Sequence, residues 1–123
     1  WLAPDGSSQS ATTVIVETTS LDAYFSQIEG MRIDVIKMDI EGAEQSALEG
    51  ASGVSLRSPA LKIITEYNAA AMRRAGGSAQ GLAAAMLALG FHEARIIEQA
   101  MRPIRIGDGL PSTEATYDLL LSK

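Results

Sequence analysis

Hydrophobic residues fall into short β-branched runs, which predict strands, and into longer stretches with a helical period. Residues 12–18, 33–40 and 61–67 are rich in β-branched side chains, which fit a pleated backbone better than a helix. The run 33–40 is apolar on both faces apart from its charged positions, as is typical of a strand covered by helices on both sides. We therefore predict it as a central strand.

The helical period predicts helices between these runs. Apolar residues at i, i+3, i+4 and i+7 indicate helices over residues 21–28, 43–56 and 79–89. Thr19 or Ser20 can cap the first helix, and Ser78 can cap the third, which Gly90 can end. The apolar stripe of the first helix is expected to pack on a sheet.

The end of the chain has a different pattern. Residues 92–99 and 116–121 are predicted strands, and a turn signal but no helix lies between them. The order is therefore β-α-β-α-β-α-β-β, in which helical crossovers imply parallel strands and the last two strands can be antiparallel. This predicts an α/β domain over residues 12–123 with a mostly parallel sheet. Residues 1–11, rich in Pro, Gly and Ser, are interpreted as a linker or frayed terminus.

Composition and charge exclude several classes of function. Ten basic against fifteen acidic residues give a net charge of -5, which disfavours nucleic acid and anionic lipid as partners. The absence of cysteine excludes disulfides and a thiolate nucleophile, and one histidine cannot build a multi-histidine metal site. No apolar run is long enough to span a bilayer. We expect a cytoplasmic protein without a bound metal.

The richest candidate site lies where the second predicted strand meets a helix. If the extended backbone continues through Glu41, then Lys37, Asp39 and Glu41 share one face, and Gly42 can turn the chain into the helix. An ionised carboxylate there can accept a hydroxyl proton, orient that hydroxyl, or attract a cation. The structural alternative is that Asp39 and Glu41 only cap the helix and pair with Lys37.

Three other polar residues belong to the same predicted edge. Glu66 and Asn68 end the next strand and either line the same crevice as a substrate site or satisfy loop amides. Glu44 is interpreted as a first-turn charge that complements the helix dipole.

The stretch I-D-V-I-K-M-D-I-E-G-A-E at residues 33–44, with L-E-G-A at 48–51, resembles the signature of FkbM-type methyltransferases. S-L-D at 20–22, I-I-T-E at 63–66 and Y-D-L-L-L at 117–121 are similar to further parts of that family's pattern. The resemblance implies a three-layer, Rossmann-like class I methyltransferase fold, with S-adenosylmethionine as donor and a hydroxyl of a small molecule or saccharide as acceptor. It also implies that Asp39 and Glu41 are catalytic, that Asp39 contacts the cofactor, and that Glu66 faces the site.

The chain departs from that pattern at its start. The strand, glycine-rich turn and acidic residue that hold the donor in such enzymes do not precede residue 12. We therefore expect a C-terminal half that binds the donor weakly or not at all and exposes a sheet edge that invites self-association.

Two other functions remain open from the sequence. One is a noncatalytic methyltransferase-like module that self-associates or docks on a partner. The other is a metal-dependent hydrolase that uses Asp39 and Glu41 as oxygen ligands. The sequence does not identify the acceptor.

Overall fold

A computed structural model describes residues 13–112 and 114–123. The helices and strands follow in the order α1 (Leu21–Phe25), β1 (Val35–Met38), α2 (Glu44–Glu49), α3 (Ser52–Arg57), β2 (Lys62–Tyr67), α4 (Ala69–Arg74), α5 (Ala79–Ala88), β3 (Glu93–Ile96), β4 (Arg102–Arg105) and β5 (Tyr117–Ser122). Short 3-10 turns occupy Ile97–Gln99 and Ile106–Asp108. The predicted linker, residues 1–11, lies outside the described residues.

The strands form one mixed sheet with the order β1-β2-β5-β3-β4. Only β1 and β2 are parallel neighbours, whereas β2–β5, β5–β3 and β3–β4 are antiparallel. The α/β class and the antiparallel pairing of the last predicted strands are confirmed. The mostly parallel sheet is wrong, because β5 inserts between β2 and β3 and runs opposite to both.

Burial alternates along the strands, and this defines the layers. On β2 the side chains of Ile63, Thr65 and Tyr67 are fully buried, whereas Lys62 is exposed and Ile64 is half-buried. Leu121 and Leu119, the β5 partners of Ile63 and Thr65, are buried on the same face, so the helices pack there. Within the described residues only one face is covered, and the expected three layers are therefore not found. That core face contains Met38, Leu48, Leu61, Ile63, Tyr67, Met72, Leu82, Met86, Phe91, Ile96, Leu119 and Leu121.

The first predicted strand is wrong over its described part. Residues 13–20 have no regular structure, and Val14, Ile15 and Val16 are 73%, 95% and 70% exposed. Thr12 lies outside the described residues. β-branched side chains favour a strand only when a neighbour is present to pack and pair with, and no described strand pairs with this segment. Because no described strand pairs with β1 on its other side, β1, which was predicted as central, is an edge strand in the described part of the chain.

The helices differ from prediction in three ways. The helix predicted over 43–56 is two helices, α2 and α3, separated at Gly50 and Ala51. The helix after Ser20 is short, and its stripe does not pack on the sheet, since Tyr24 is 64% exposed. Helix α4 and strand β4 were not predicted. Helix α5 agrees with prediction, including its cap, where the Ser78 hydroxyl accepts the Gly81 amide N–H at 3.0 Å.

Candidate functional site

The turn between β1 and α2 is fixed by one glycine. Glu41 and Gly42 both have positive φ, at 57° and 104°, a region that non-glycine residues rarely occupy. A Cβ added to Gly42 would lie 2.5 Å from the carbonyl oxygen of Ala71 in α4. The turn is therefore pressed against α4 so closely that only glycine fits at position 42.

Glu44 closes the same turn from inside. Its side chain is 3% exposed, and its Oε1 accepts the backbone N–H of Ile40 at 3.0 Å. It occupies the first turn of α2, as predicted. Because it satisfies a backbone donor that the bend would leave unpaired, Glu44 holds the turn.

Asp39 and Glu41 are both exposed. The Asp39 carboxylate lies 3.9 Å from the Lys37 ammonium, and their side chains are 53% and 62% exposed. The face-sharing argument from the sequence is wrong in its premise, because the strand ends at Met38 and the left-handed Glu41 breaks the alternation. The predicted pairing of Asp39 with Lys37 is present, and the catalytic roles of Asp39 and Glu41 stay predictions.

Backbone register nevertheless brings acidic residues together at one edge. Met38 pairs with Thr65 at the end of the β1–β2 ladder; Asp39 and Glu66 follow these two residues, and the charge of Asp39 acts on Glu66. Glu66 in turn lies opposite Asp118. We call Asp39, Glu41, Glu66 and Asp118 the acidic rim. Its members occupy the edge formed by the carboxyl ends of β1 and β2 and the start of β5.

The acidic rim perturbs one of its own members. Desolvation by burial raises the pKa of Glu66 above its ordinary value, and the negative charges of Asp39, Glu41, Glu44 and Asp118 raise it further. Repulsion between like charges favours the neutral acid. A positive charge beside Glu66 would relieve this repulsion.

Sequence reasoning missed Asp118, whose position depends on the pairing of β5 with β2. The backbone N–H of Asp118 is held by both carboxylate oxygens of Glu98, at 3.0 and 3.1 Å. The sequence predicted that Asp118 lies in a strand, over residues 116–121, but not that this strand pairs with β2.

Asn68, a predicted substrate-binding residue, makes two side-chain hydrogen bonds within the described part of the chain. Its Oδ1 accepts the Ala71 amide N–H at 2.9 Å and so caps α4, and its Nδ2 donates to the Thr116 hydroxyl at 3.2 Å. Its substrate contact stays a prediction.

The family model described as Methyltransferase FkbM domain matches residues 2–93, most of the chain. The chain belongs to the FkbM methyltransferase family. The match contains the β1–α2 turn and β2, which carry three of the four rim residues. No curated protein and no solved structure shows significant similarity to the chain.

This FkbM domain also has an apolar groove. The groove measures about 780 Å³ and runs along β1 between residues 18–21 and α2. Its apolar side chains are Leu21, Ile36, Met38, Ile40, Ala43 and Ala47.

Within residues 13–112 and 114–123, no three His, Asp or Glu side chains are placed to hold a metal ion together. Across the same residues, no helix has the length and apolar character needed to cross a membrane.

Proposed function

We propose that this chain is part of an S-adenosylmethionine-dependent O-methyltransferase that acts on a hydroxyl of a small molecule or saccharide. Membership of the FkbM family supports methyl transfer. The acidic rim is the single observation that carries the site, because it concentrates negative charge at the edge where parallel strands end, and ligands of open α/β sheets bind at that edge. A cytoplasmic location is part of the proposal.

The residues present fit the donor by charge. When bound, S-adenosylmethionine supplies a methyl group on a positively charged sulfur. Asp39 lies in the sequence between two groove residues, Met38 and Ile40, and its side chain is half exposed, so its carboxylate is available to attract that charge. Burial is the largest cause of the raised pKa of Glu66, and the neighbouring negative charges, which a cation would offset, raise that pKa further.

The rim carboxylates have a second role at the acceptor. Asp39 or Glu41 accepts the proton of the acceptor hydroxyl while the oxygen forms its bond to the methyl carbon and the carbon–sulfur bond breaks. Glu66 orients the hydroxyl from the neighbouring strand, with Asn68 at the end of that strand. Correct alignment of these reacting atoms lowers the barrier more than proton transfer alone.

A titration followed by amide NMR tests the proposal on the 123-residue chain, since it detects weak binding. We expect S-adenosylmethionine at millimolar concentration to shift amides in residues 38–44 and 66–68. S-adenosylhomocysteine, which lacks the charge and the methyl group, should bind more weakly. Asp39→Asn should remove this preference.

Asp34→Asn is the matched control, because Asp34 is an exposed carboxylate next to the opposite end of β1; it should leave the preference unchanged. Shifts confined to other regions, or a preference that survives Asp39→Asn, would contradict the proposed site. Transfer of labelled methyl groups to a panel of sugars and hydroxylated small molecules, by the chain at high concentration, then tests the acceptor class.

A further inference from the structure

A cleft lies between α5 and the segment that leads from β4 to β5. Its longer part is an apolar groove of about 510 Å³, a volume large enough for a small-molecule ligand. One wall is a face of α5, and the other belongs to residues 106–112; the apolar side chains of both walls are Ala79, Ala83, Ala84, Leu87, Ile106 and Leu110. This groove shares no residue with the groove along β1.

The outer wall of the groove is fixed at both of its ends. The Ile106 amide N–H donates to the His92 carbonyl at 3.0 Å, and the Ile106 side chain is buried. At the other end, the Tyr67 hydroxyl donates to the Pro111 carbonyl at 2.9 Å. Between these points a Cβ added to Gly107 would meet no atom within 4 Å, so the wall leaves the groove open. The groove is therefore a preformed part of the fold.

The apolar groove continues into a polar mouth. A second cavity, of about 270 Å³, shares Ala79 and Ser112 with the groove and is also lined by Tyr67, Arg73 and Glu114. Tyr67 is the last residue of β2, so the mouth lies at the carboxyl end of that strand. One continuous cleft thus has an apolar part and a charged part.

The mouth favours an anion. The Arg73 guanidinium lies 3.6 Å from the Glu114 carboxylate, which is too far for a hydrogen bond and leaves the guanidinium donors available. The Glu114 side chain is also the more exposed of the two, at 84% against 60%, so water screens its charge better. Burial raises the pKa of Tyr67, and the charge of Arg73 opposes that rise. The positive charge therefore acts on a residue that lines the mouth.

We propose that this cleft binds a small amphipathic carboxylate, with its hydrocarbon chain in the groove against α5 and its carboxylate on Arg73. A guanidinium binds a carboxylate through two parallel N–H groups. Small apolar walls suit a hydrocarbon chain, because each methylene that leaves water contributes to binding. The ligand is a free molecule, since the net charge of -5 disfavours an anionic membrane. The proposal does not depend on methyltransferase activity.

An NMR titration of the 123-residue chain with octanoate, kept below the concentration at which it forms micelles, tests the proposal. We expect saturable shifts of the amides in residues 79–87 and 106–112. Octanol has the same chain length without the charge and should bind at least about fivefold more weakly, because charge-assisted hydrogen bonds are lost. From hexanoate to octanoate to decanoate the dissociation constant should fall roughly fourfold at each step, as expected for methylenes that are partly buried in an open groove.

Two pairs of variants test the two parts of the cleft. Ala84→Glu places a charge in the groove and should raise the dissociation constant of octanoate at least about tenfold. Ala88→Glu is its control, because Ala88 is exposed on the same helix, one turn further on, and does not line the groove. Arg73→Gln should lower the affinity for octanoate to that for octanol. Arg74→Gln, at the neighbouring exposed arginine in the last turn of α4, should leave octanoate binding unchanged.

Circular dichroism of each variant verifies that the fold is kept. The absence of saturable shifts in the two segments would overturn the proposal, and so would equal losses for Ala84→Glu and Ala88→Glu. Equal binding of octanoate and octanol by the parent chain would overturn the role of Arg73. Shifts of the same amides on dilution without any ligand would show that a second copy of the chain occupies the groove, which would also contradict the proposal.

Discussion

Glu66 on β2 lies directly opposite Asp118 on β5 in an antiparallel ladder. Like charges in directly opposite positions of a sheet destabilise it, and the negative charge of Asp39, just after the end of β1, also acts on Glu66. The sheet thus contains a local conflict at the edge where we place the methyl-transfer site. A cationic ligand bound at this edge would offset the repulsion between these carboxylates.

The first prediction concerns pH. The pKa of Glu66 is raised in the folded chain above its ordinary value of 4.5 by desolvation and by neighbouring carboxylates. The folded state therefore binds this proton more tightly than the unfolded state, and the resulting stability is full below the unfolded pKa and is lost as pH rises through the folded pKa. Glu66→Gln should be more stable than the parent at about pH 7 and should lose less stability between pH 4.5 and neutrality.

Urea unfolding at a series of pH values measures this difference. Glu29→Gln, an exposed carboxylate in the loop before β1, is the control and should leave the pH profile almost unchanged. Parallel profiles for Glu66→Gln and the parent would show that the rim does not perturb Glu66.

The second prediction separates backbone strain from steric collision. Gly76 has φ of 87° and open space around a would-be Cβ, whereas Gly42 has φ of 104° and the carbonyl of Ala71 at 2.5 Å. Gly76→Ala should cost about 1 kcal/mol of unfolding free energy from strain alone. Gly42→Ala should cost roughly 2 to 4 kcal/mol, because overpacking adds to strain. Equal losses in thermal or urea unfolding would refute the close approach of the turn to α4.

The third prediction concerns Asp22, the last residue of the Ser20-Leu21-Asp22 stretch, which has a structural role. Asp22 Oδ2 accepts the Gly53 amide N–H at 2.9 Å, and Oδ1 accepts the Val54 amide N–H at 2.8 Å. Asp22 thus caps α3 from a distant position in the sequence. Asp22→Ala should lower the unfolding free energy by about 1 to 2 kcal/mol.

Asp22→Asn, which keeps one acceptor oxygen, should show an intermediate loss in urea unfolding. Asp34→Ala removes an exposed carboxylate and serves as control. A loss no greater than that of the control would exclude the capping role.

The fourth prediction concerns the buried carboxylate. Glu44→Ala leaves the Ile40 amide without its acceptor and should destabilise the chain by about 1 to 3 kcal/mol. Glu44→Gln retains an acceptor oxygen and should lose less. Thermal unfolding compares them, and equal losses would show that the carboxylate charge, not the hydrogen bond, holds the turn.

The local sequence pattern predicted those helices, strands and turns that are determined by their own residues. β2 and α5 follow from periodicity and from the cap at Ser78, and the sharp turn follows from Gly42. Helix α4 was missed because its run of alanines has no polar and apolar alternation, and its start depends on Asn68 acting as a cap. The order of the strands along the chain did not reveal that β5 inserts beside β2, because their order in the sheet depends on contacts between distant residues.

The same distinction applies to the candidate site. Asp39 and Glu41 were found because they adjoin a strand end, which is a local feature. Asp118 was not found, since only the ladder with β2 brings it to Glu66. Residues 12–18 were predicted as a strand from their β-branched composition, but a strand also needs a neighbouring strand, and composition does not supply one.

At position 41, low backbone strain and the presence of a carboxylate favour different residues. Glycine or asparagine would adopt φ of 57° with less strain, so a screen that rewards heat resistance alone should replace Glu41 and discard its carboxylate. A screen that rewards turnover should keep the acid if it takes the hydroxyl proton. Opposite outcomes of two such selections at one codon would reveal whether this side chain is retained for chemistry.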